Sequence, residues 1–138
     1  MKLMVCGSIG YGGVNDIRKF YQKLKEHGFE IINHVEAKGM DYSDIDDFRD
    51  KKDLTKVIVE HDLEYVDKAD VIVVLSNKPS YGTAIEMYVA KKKGKKIIFF
   101  APDKIPTPWP LYFSDIVVKD EKELVDALNS LKTVQQLK

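Results

Sequence analysis

Asp70-Val-Ile-Val-Val-Leu75, Ser76-Asn-Lys-Pro-Ser-Tyr-Gly82, Thr83-Ala-Ile-Glu-Met-Tyr-Val-Ala-Lys-Lys-Lys93 and Lys96-Ile-Ile-Phe-Phe-Ala101 decide the fold. The first segment is a continuous apolar, β-branched run of strand length, the pattern of a strand covered on both faces. The second is dense in turn-forming residues. The third reads as a helix, with three lysines in its last turn where the dipole favours cations, and with Gly94 as its stop. A second apolar strand closes a β-α-β unit, whose crossover is right-handed in nearly every parallel sheet.

The same alternation extends outward in both directions. Leu3-Met-Val-Cys6 reads as a first strand. Asn15 is placed to cap a helix in which Ile17, Phe20, Tyr21 and Leu24 fall at i, i+3, i+4 and i+7, ended by Gly28. Phe29–Val35 reads as a second strand, and a helix from about Leu54 to Lys68 carries Thr55, Val59, Leu63, Val66 and Ala69 on one face. Pro102–Leu111 is too proline-rich for a regular element. Asp115–Val118 is the last strand and Glu121–Leu131 the last helix. This pattern predicts an α/β domain over residues 1–131, a flavodoxin-like or Rossmann-like three-layer fold with a five-stranded parallel sheet. Residues 132–138 read as a C-terminal tail.

Composition excludes several classes. The 138 residues form one domain-sized unit, and 22 basic against 22 acidic residues leave no net charge to attract nucleic acid or an anionic membrane. The expected partner is a small molecule. A single cysteine, Cys6, excludes an internal disulfide and fits a reducing, cytoplasmic setting. No apolar run approaches membrane-spanning length, and a strand beginning at Lys2 leaves no room for a signal peptide. No metal or cofactor is expected, since no Asp-x-Asp-x-Asp-Gly or other ligand spacing occurs.

Four features point to chemistry, each with a structural alternative beside it. Glu86 is the one charge between Tyr81 and Ala90, in a helix that opens at the carboxyl end of a strand, where open α/β sheets bind ligands; it equally answers the helix dipole. Gly7-Ser-Ile-Gly-Tyr-Gly-Gly13 places four glycines between a strand and a helix N-terminus, a site for phosphate or a tight βα turn. Asp62 projects within the apolar stripe of its helix, where an acid is costly unless paired or functional; a hydrogen-bond hub is the ordinary explanation. Trp109, Tyr112 and Phe113 either wall a site or pack the core. His34 reads as a polar strand end that can face the site, and the charged stretch Glu36–Asp53 as a solvated excursion or a lid.

Cys6-Gly-Ser-Ile9 with Gly12-Gly13, Glu60-His-Asp-Leu63 with Ala69-Asp-Val-Ile-Val73, and Pro79-Ser-Tyr-Gly-Thr-Ala-Ile-Glu86 together resemble the nucleoside 2-deoxyribosyltransferase superfamily, most of all its 2'-deoxynucleoside 5'-phosphate N-hydrolase branch. The resemblance implies that Glu86 is a nucleophile forming a glycosyl ester, and that Asp62 orients it or protonates the leaving base. It implies a nucleotide or nucleoside substrate whose 5'-phosphate is held by Ser8, the glycine loop with Gly7, Ile9, Gly12 and Gly13, and Ser80, with Gly82 and Tyr11 as further substrate contacts, and a homodimer or higher homo-oligomer; beyond Ala101 the resemblance fades, and Trp109 is a candidate substrate contact by its position in the chain alone. Hydrolysis is the expected outcome, with base transfer and non-catalytic nucleotide binding as alternatives. The chain departs from the branch at Gly10-Tyr11, where an Arg is common, and at Met4, where a strand tyrosine is usual; Tyr11 is a possible substitute. Gly82-Thr83-x-x-Glu86 also resembles nucleotide phosphoribohydrolases of the cytokinin-activating type, but Ser80-Tyr81 stands where their Pro-Gly-Gly would be.

Overall fold

The computed structural model of the chain describes residues 1–10 and 12–136. Five strands, β1 (Lys2–Cys6), β2 (Glu30–Ile31), β3 (Val71–Leu75), β4 (Lys96–Phe100) and β5 (Ile116–Val118), alternate with α1 (Val14–Glu26), α2 (Lys52–Lys68), α3 (Tyr81–Lys92), α4 (Trp109–Phe113) and α5 (Glu121–Gln136). The sheet order is β2-β1-β3-β4-β5 and every pairing is parallel, the flavodoxin-like order that the sequence predicts. β1 lies beside β3 from Leu3 opposite Val71 to Cys6 opposite Val74. The chain reverses its winding between these two strands, and their carboxyl ends frame a crevice.

Strand alternation divides the core into two layers. Leu3, Val5, Val71, Val73 and Leu75 pack with Ile17, Tyr21 and Leu24 of α1 and with Leu124 and Leu128 of α5. Met4, Cys6, Ile72 and Val74 face the other way, onto Val66 of α2 and Met87 and Ala90 of α3. Each fully buried Val, Leu or Ile contributes about 1.5–3 kcal/mol relative to exposure, so β3, buried at all five positions, anchors both layers.

Several boundaries differ from those the sequence predicts. β2 spans two residues rather than Phe29–Val35, because Asn33 Oδ1 accepts from Val35 N at 3.0 Å and turns the chain inward. Gly13, not Asn15, is the N-cap of α1. Of the inner face predicted for α2, Val66 and Ala69 are buried, but its first half is turned by one position: Ile58 is buried, whereas Thr55 and Val59 are exposed. Val57, Ile58 and Val59 are all β-branched and apolar, so periodicity alone could not choose among them. A helix forms over Trp109–Phe113 despite its proline, because Pro110 sits in the first turn, where no amide partner is lost. α5 continues to Gln136, helped by Thr133 Oγ1 donating to Asn129 O at 3.0 Å, so residues 132–136 are helix rather than the tail that the sequence suggests.

The charged stretch 36–53 is not simply solvated. Met40 is buried, Arg18 pairs with Asp41, and Tyr42 packs on the core and meets Phe48 edge to face. Nor is α3 covered all round: Ile85 and Tyr88 are about half exposed on its outer face. No described helix is long and apolar enough to cross a membrane.

Candidate active site

The glycine loop follows β1 into α1. Gly12 has φ +85°, and a Cβ built on Gly13 would stand 2.2 Å from the Ser8 carbonyl oxygen and 2.6 Å from Asn77 Nδ2. Only glycine fits there, and the close backbone approach draws the β3–α3 loop against the β1–α1 loop. Asn77 Nδ2 donates to Asp16 at 3.4 Å, while a Cβ on Gly12 would lie 3.7 Å from Lys78 Nζ. A cation from the β3–α3 loop thus stands beside the glycines, in a chain that has Gly10-Tyr11 where an Arg is common.

Ser80 caps α3 by accepting from Thr83 N at 3.3 Å. That cap fixes the helix start and places Glu86 one turn further in, pointing toward the end of β1. Glu86 and Asp62 of α2 line one cavity of about 100 Å³, together with Gly7, Ile9, Ser80 and Gly82. Glu86 is 7 % exposed, and its Oε2 has no partner among the described residues, nor do Ser8 Oγ and Thr83 Oγ1. Asp62 is held by His61, whose Nδ1 lies 3.1 Å from Oδ1.

Burial, and then the neighbouring Asp62, holds the Glu86 carboxyl well above its ordinary range. Burial raises Asp62 as well, against the hydrogen bond and charge of His61. Two desolvated carboxyls this close cannot both ionise cheaply, so ionisation of one disfavours that of the other. Burial, with both acids adding, pushes the Cys6 thiol up and leaves it un-ionised. His34 is fully buried, with its pKa lowered to about 3 by burial and by His61, so it is neutral. One donor atom each of His34, Asp62 and Glu86 lies within 4.8 Å of the others.

Of the residues singled out in the sequence, Gly7, Ile9, Asp62, Ser80, Gly82 and Glu86 meet around the cavity. Ser8 lies fully buried in the loop beside it, with Gly12 and Gly13. Trp109 is not at this cavity. It is 71 % exposed and lines a neighbouring one of about 380 Å³ that shares Ser80 and Thr83. Tyr112 is exposed and Phe113 packs against Tyr88. Tyr11 lies outside the described residues. Tyr42, which also lines the cavity, carries no signal in the sequence, because it sits in an irregular charged loop. Lys78 and the inward face of Tyr21 were likewise missed, since both depend on contacts across elements.

The model of the nucleoside 2-deoxyribosyltransferase family matches residues 10–128. A curated relative, 5-hydroxymethyl-dUMP N-hydrolase of Danio rerio, is 31% identical over 101 residues, which is 71% of this chain and 66% of the relative. The chain therefore spans just under two thirds of that relative's length. Among solved structures, a 2-deoxyribosyltransferase of Bacillus psychrosaccharolyticus has a TM-score of 0.70 at 17% identity, covering 90% of each chain. A conserved protein of Enterococcus faecalis scores 0.71 at 16% identity, over 94% of this chain and 98% of that one. A CMP N-glycosidase of Clostridium botulinum scores 0.54 at 20% identity, over 94% and 99%. These three likenesses support the fold.

Proposed function

The chain belongs to the nucleoside 2-deoxyribosyltransferase family, and from that premise we propose that it hydrolyses the N-glycosidic bond of a (deoxy)nucleoside 5'-monophosphate. One observation carries this reading: the carboxyl of Glu86 is buried with one oxygen that has no partner among the described residues, and Glu86 lines a cavity together with Asp62. The close spacing of the two acids suits a retaining, covalent reaction better than an inverting one, which needs roughly 6.5–9.5 Å for a water.

In the proposed reaction Asp62 carries a proton and Glu86 is ionised. The Glu86 carboxylate bonds to the anomeric carbon as the C–N bond breaks, and Asp62 gives its proton to the departing base. Water then cleaves the glycosyl ester, giving free base and (deoxy)ribose 5-phosphate and returning the proton to the acid pair. Transfer of the sugar to a second base is the same first half with a base in place of water. Non-catalytic nucleotide binding is the remaining alternative.

A 5'-phosphate is favoured by the N-termini of α1 and α3 and by Lys78 beside Gly12. Incubation of deoxynucleosides and their monophosphates, with and without acceptor base, separates the readings. Free base from monophosphates without acceptor is the expected result. Product only with acceptor favours the transferase, and tight binding with no base released favours the binding module. Lys78→Gln is expected to raise KM for the monophosphate about tenfold while leaving KM for the nucleoside unchanged. Equal effects on both substrates count against the phosphate role.

A homodimer or larger assembly is proposed as well. Tyr81, Trp109 and Tyr112 are each more than two-thirds exposed, and with Ile85 and Tyr88 they make an apolar outer face on α3 and α4 with the aromatic content of an interface. Light scattering at micromolar concentration is expected to give at least a dimer, and Trp109→Glu to reduce it to the monomer. A wild-type monomer overturns this proposal.

A further inference from the structure

Beneath the acid pair lies a second buried pair that the proposed reaction does not use. Tyr21 of α1 and His34, from the loop after β2, are each 1 % exposed. The Tyr21 oxygen stands 2.7 Å from His34 Nδ1, with the rings edge to face. The sheet explains why a hydroxyl is needed there. Because β2 pairs with β1 only at Lys2 and Leu3, the Val5 N–H faces an open edge and donates to the Tyr21 oxygen at 2.9 Å. A buried amide without that acceptor would go unsatisfied.

The hydrogen count then selects a tautomer. Tyr21 has one proton to give and two acceptors in reach, His34 Nδ1 at 2.7 Å and the Val5 carbonyl at 3.4 Å. If Nδ1 carried the ring proton it would donate to Tyr21, and the hydroxyl would be left with the distant carbonyl. If Nδ1 is bare, the hydroxyl makes the short bond and Val5 N–H still has its acceptor. The second arrangement satisfies both the Tyr21 hydroxyl and the Val5 amide, and it puts the ring proton on Nε2, in the group whose donor atoms lie within 4.8 Å of one another.

We propose that Tyr21 is a positioning residue that fixes His34 as its Nε2–H tautomer, so that the imidazole presents a neutral N–H donor to the Asp62 and Glu86 carboxyls. The proposal rests on the reading of those two acids as the reacting pair. The titratable groups around the ring are Tyr21, Cys6, His61, Asp62 and Glu86. A neutral donor stabilises whichever acid is ionised without adding a charge that a departing base would have to leave behind. The tyrosine that the family resemblance places in β1 is Met4 in this chain, packed in the α2–α3 layer. Tyr42 lines the cavity itself, whereas Tyr21 of α1 acts on it through a histidine.

Nitrogen-15 spectra of imidazole-labelled protein test this directly. Wild type is expected to show His34 with bare Nδ1 and protonated Nε2, unchanged from about pH 5 to pH 8. In Tyr21→Phe that preference is expected to vanish. On a monophosphate substrate kcat is expected to fall on the order of 10- to 100-fold with KM within about twofold, and the acid limb of the rate profile to move to higher pH. A wild-type Nδ1–H tautomer overturns the proposal, and so does a Tyr21→Phe protein that keeps both tautomer and kcat. Should Tyr21→Phe fail to fold, because Val5 N–H loses its acceptor, the wild-type spectrum decides alone. The tautomer is read without turnover, so an incorrect assignment of Glu86 and an incorrect assignment of Tyr21 give different results.

Discussion

Glu86→Gln is expected to lower kcat by on the order of 10³-fold or more while leaving the fold intact. The amide matches the carboxyl in size and can accept the same hydrogen bonds, but it cannot bond to the anomeric carbon. Folding survives because an amide in a desolvated position avoids the cost of burying a charge. The substitution also has a stability signature with a definite sign. Because burial and Asp62 hold Glu86 well above its ordinary range, the folded chain keeps a proton that the unfolded chain releases. That contribution is fully present below the unfolded pKa and is lost as pH rises through the folded one. His34 works in the opposite direction. Its folded value of about 3, against an ordinary 6.5, gives stability that is present above 6.5 and lost as pH falls toward 3. Subtracting one melting curve from the other cancels His34. The Gln variant is therefore expected to melt above wild type at about pH 8, with the gap closing toward about pH 4. Near wild-type turnover would return Glu86 to a helix-dipole role, and a gap independent of pH would contradict its burial as a carboxyl.

The layout of the fold was open to sequence reading because its signals are local. β3, α3 and β4 each announce themselves by apolar runs, a turn-rich loop and a lysine-rich helix end, and the parallel order follows from their alternation. Glu86 was legible for the same reason, as one charge in an apolar helix. Asp62 was legible as an acid in an apolar stripe, although the first half of that stripe was misplaced by one position. What escaped depends on groups that meet across elements. Phe29–Val35 has the composition of a strand, yet the Asx turn at Asn33 ends pairing at Ile31 and tucks His34 under the site. Tyr21 fits the apolar periodicity of α1 so well that its hydroxyl carried no separate signal. Tyr42 and Lys78 lie in loops, where no period constrains a side chain's direction. Trp109 lines not the Glu86 cavity but the neighbouring one that shares Ser80 and Thr83, a placement set by the α4 turn rather than by any period in the sequence.

Asp62→Asn is expected to lower kcat by about 10²–10⁴-fold, less than Glu86→Gln, because a proton donor is lost while the nucleophile stays. The asparagine can still reach His61, so local packing holds, but it has no proton to release to a departing base. The acid limb of kcat/KM is expected to move to lower pH in the same variant, since the nearby Asp62 charge is one of the two causes that raise the Glu86 carboxyl. Lower rate with an acid-shifted profile is the signature of two interacting carboxyls. Loss of a purely structural aspartate would lower the rate without moving that limb. A deoxyribosyl phosphate carrying a leaving group that needs no proton, such as fluoride, sharpens the test. Cleavage of this compound is expected to recover in Asp62→Asn toward the wild-type rate and to stay lost in Glu86→Gln, because only the first variant still has a carboxylate to form the sugar ester. Equal recovery, or none in either variant, would show that the two acids do not divide the nucleophilic and proton-donating roles.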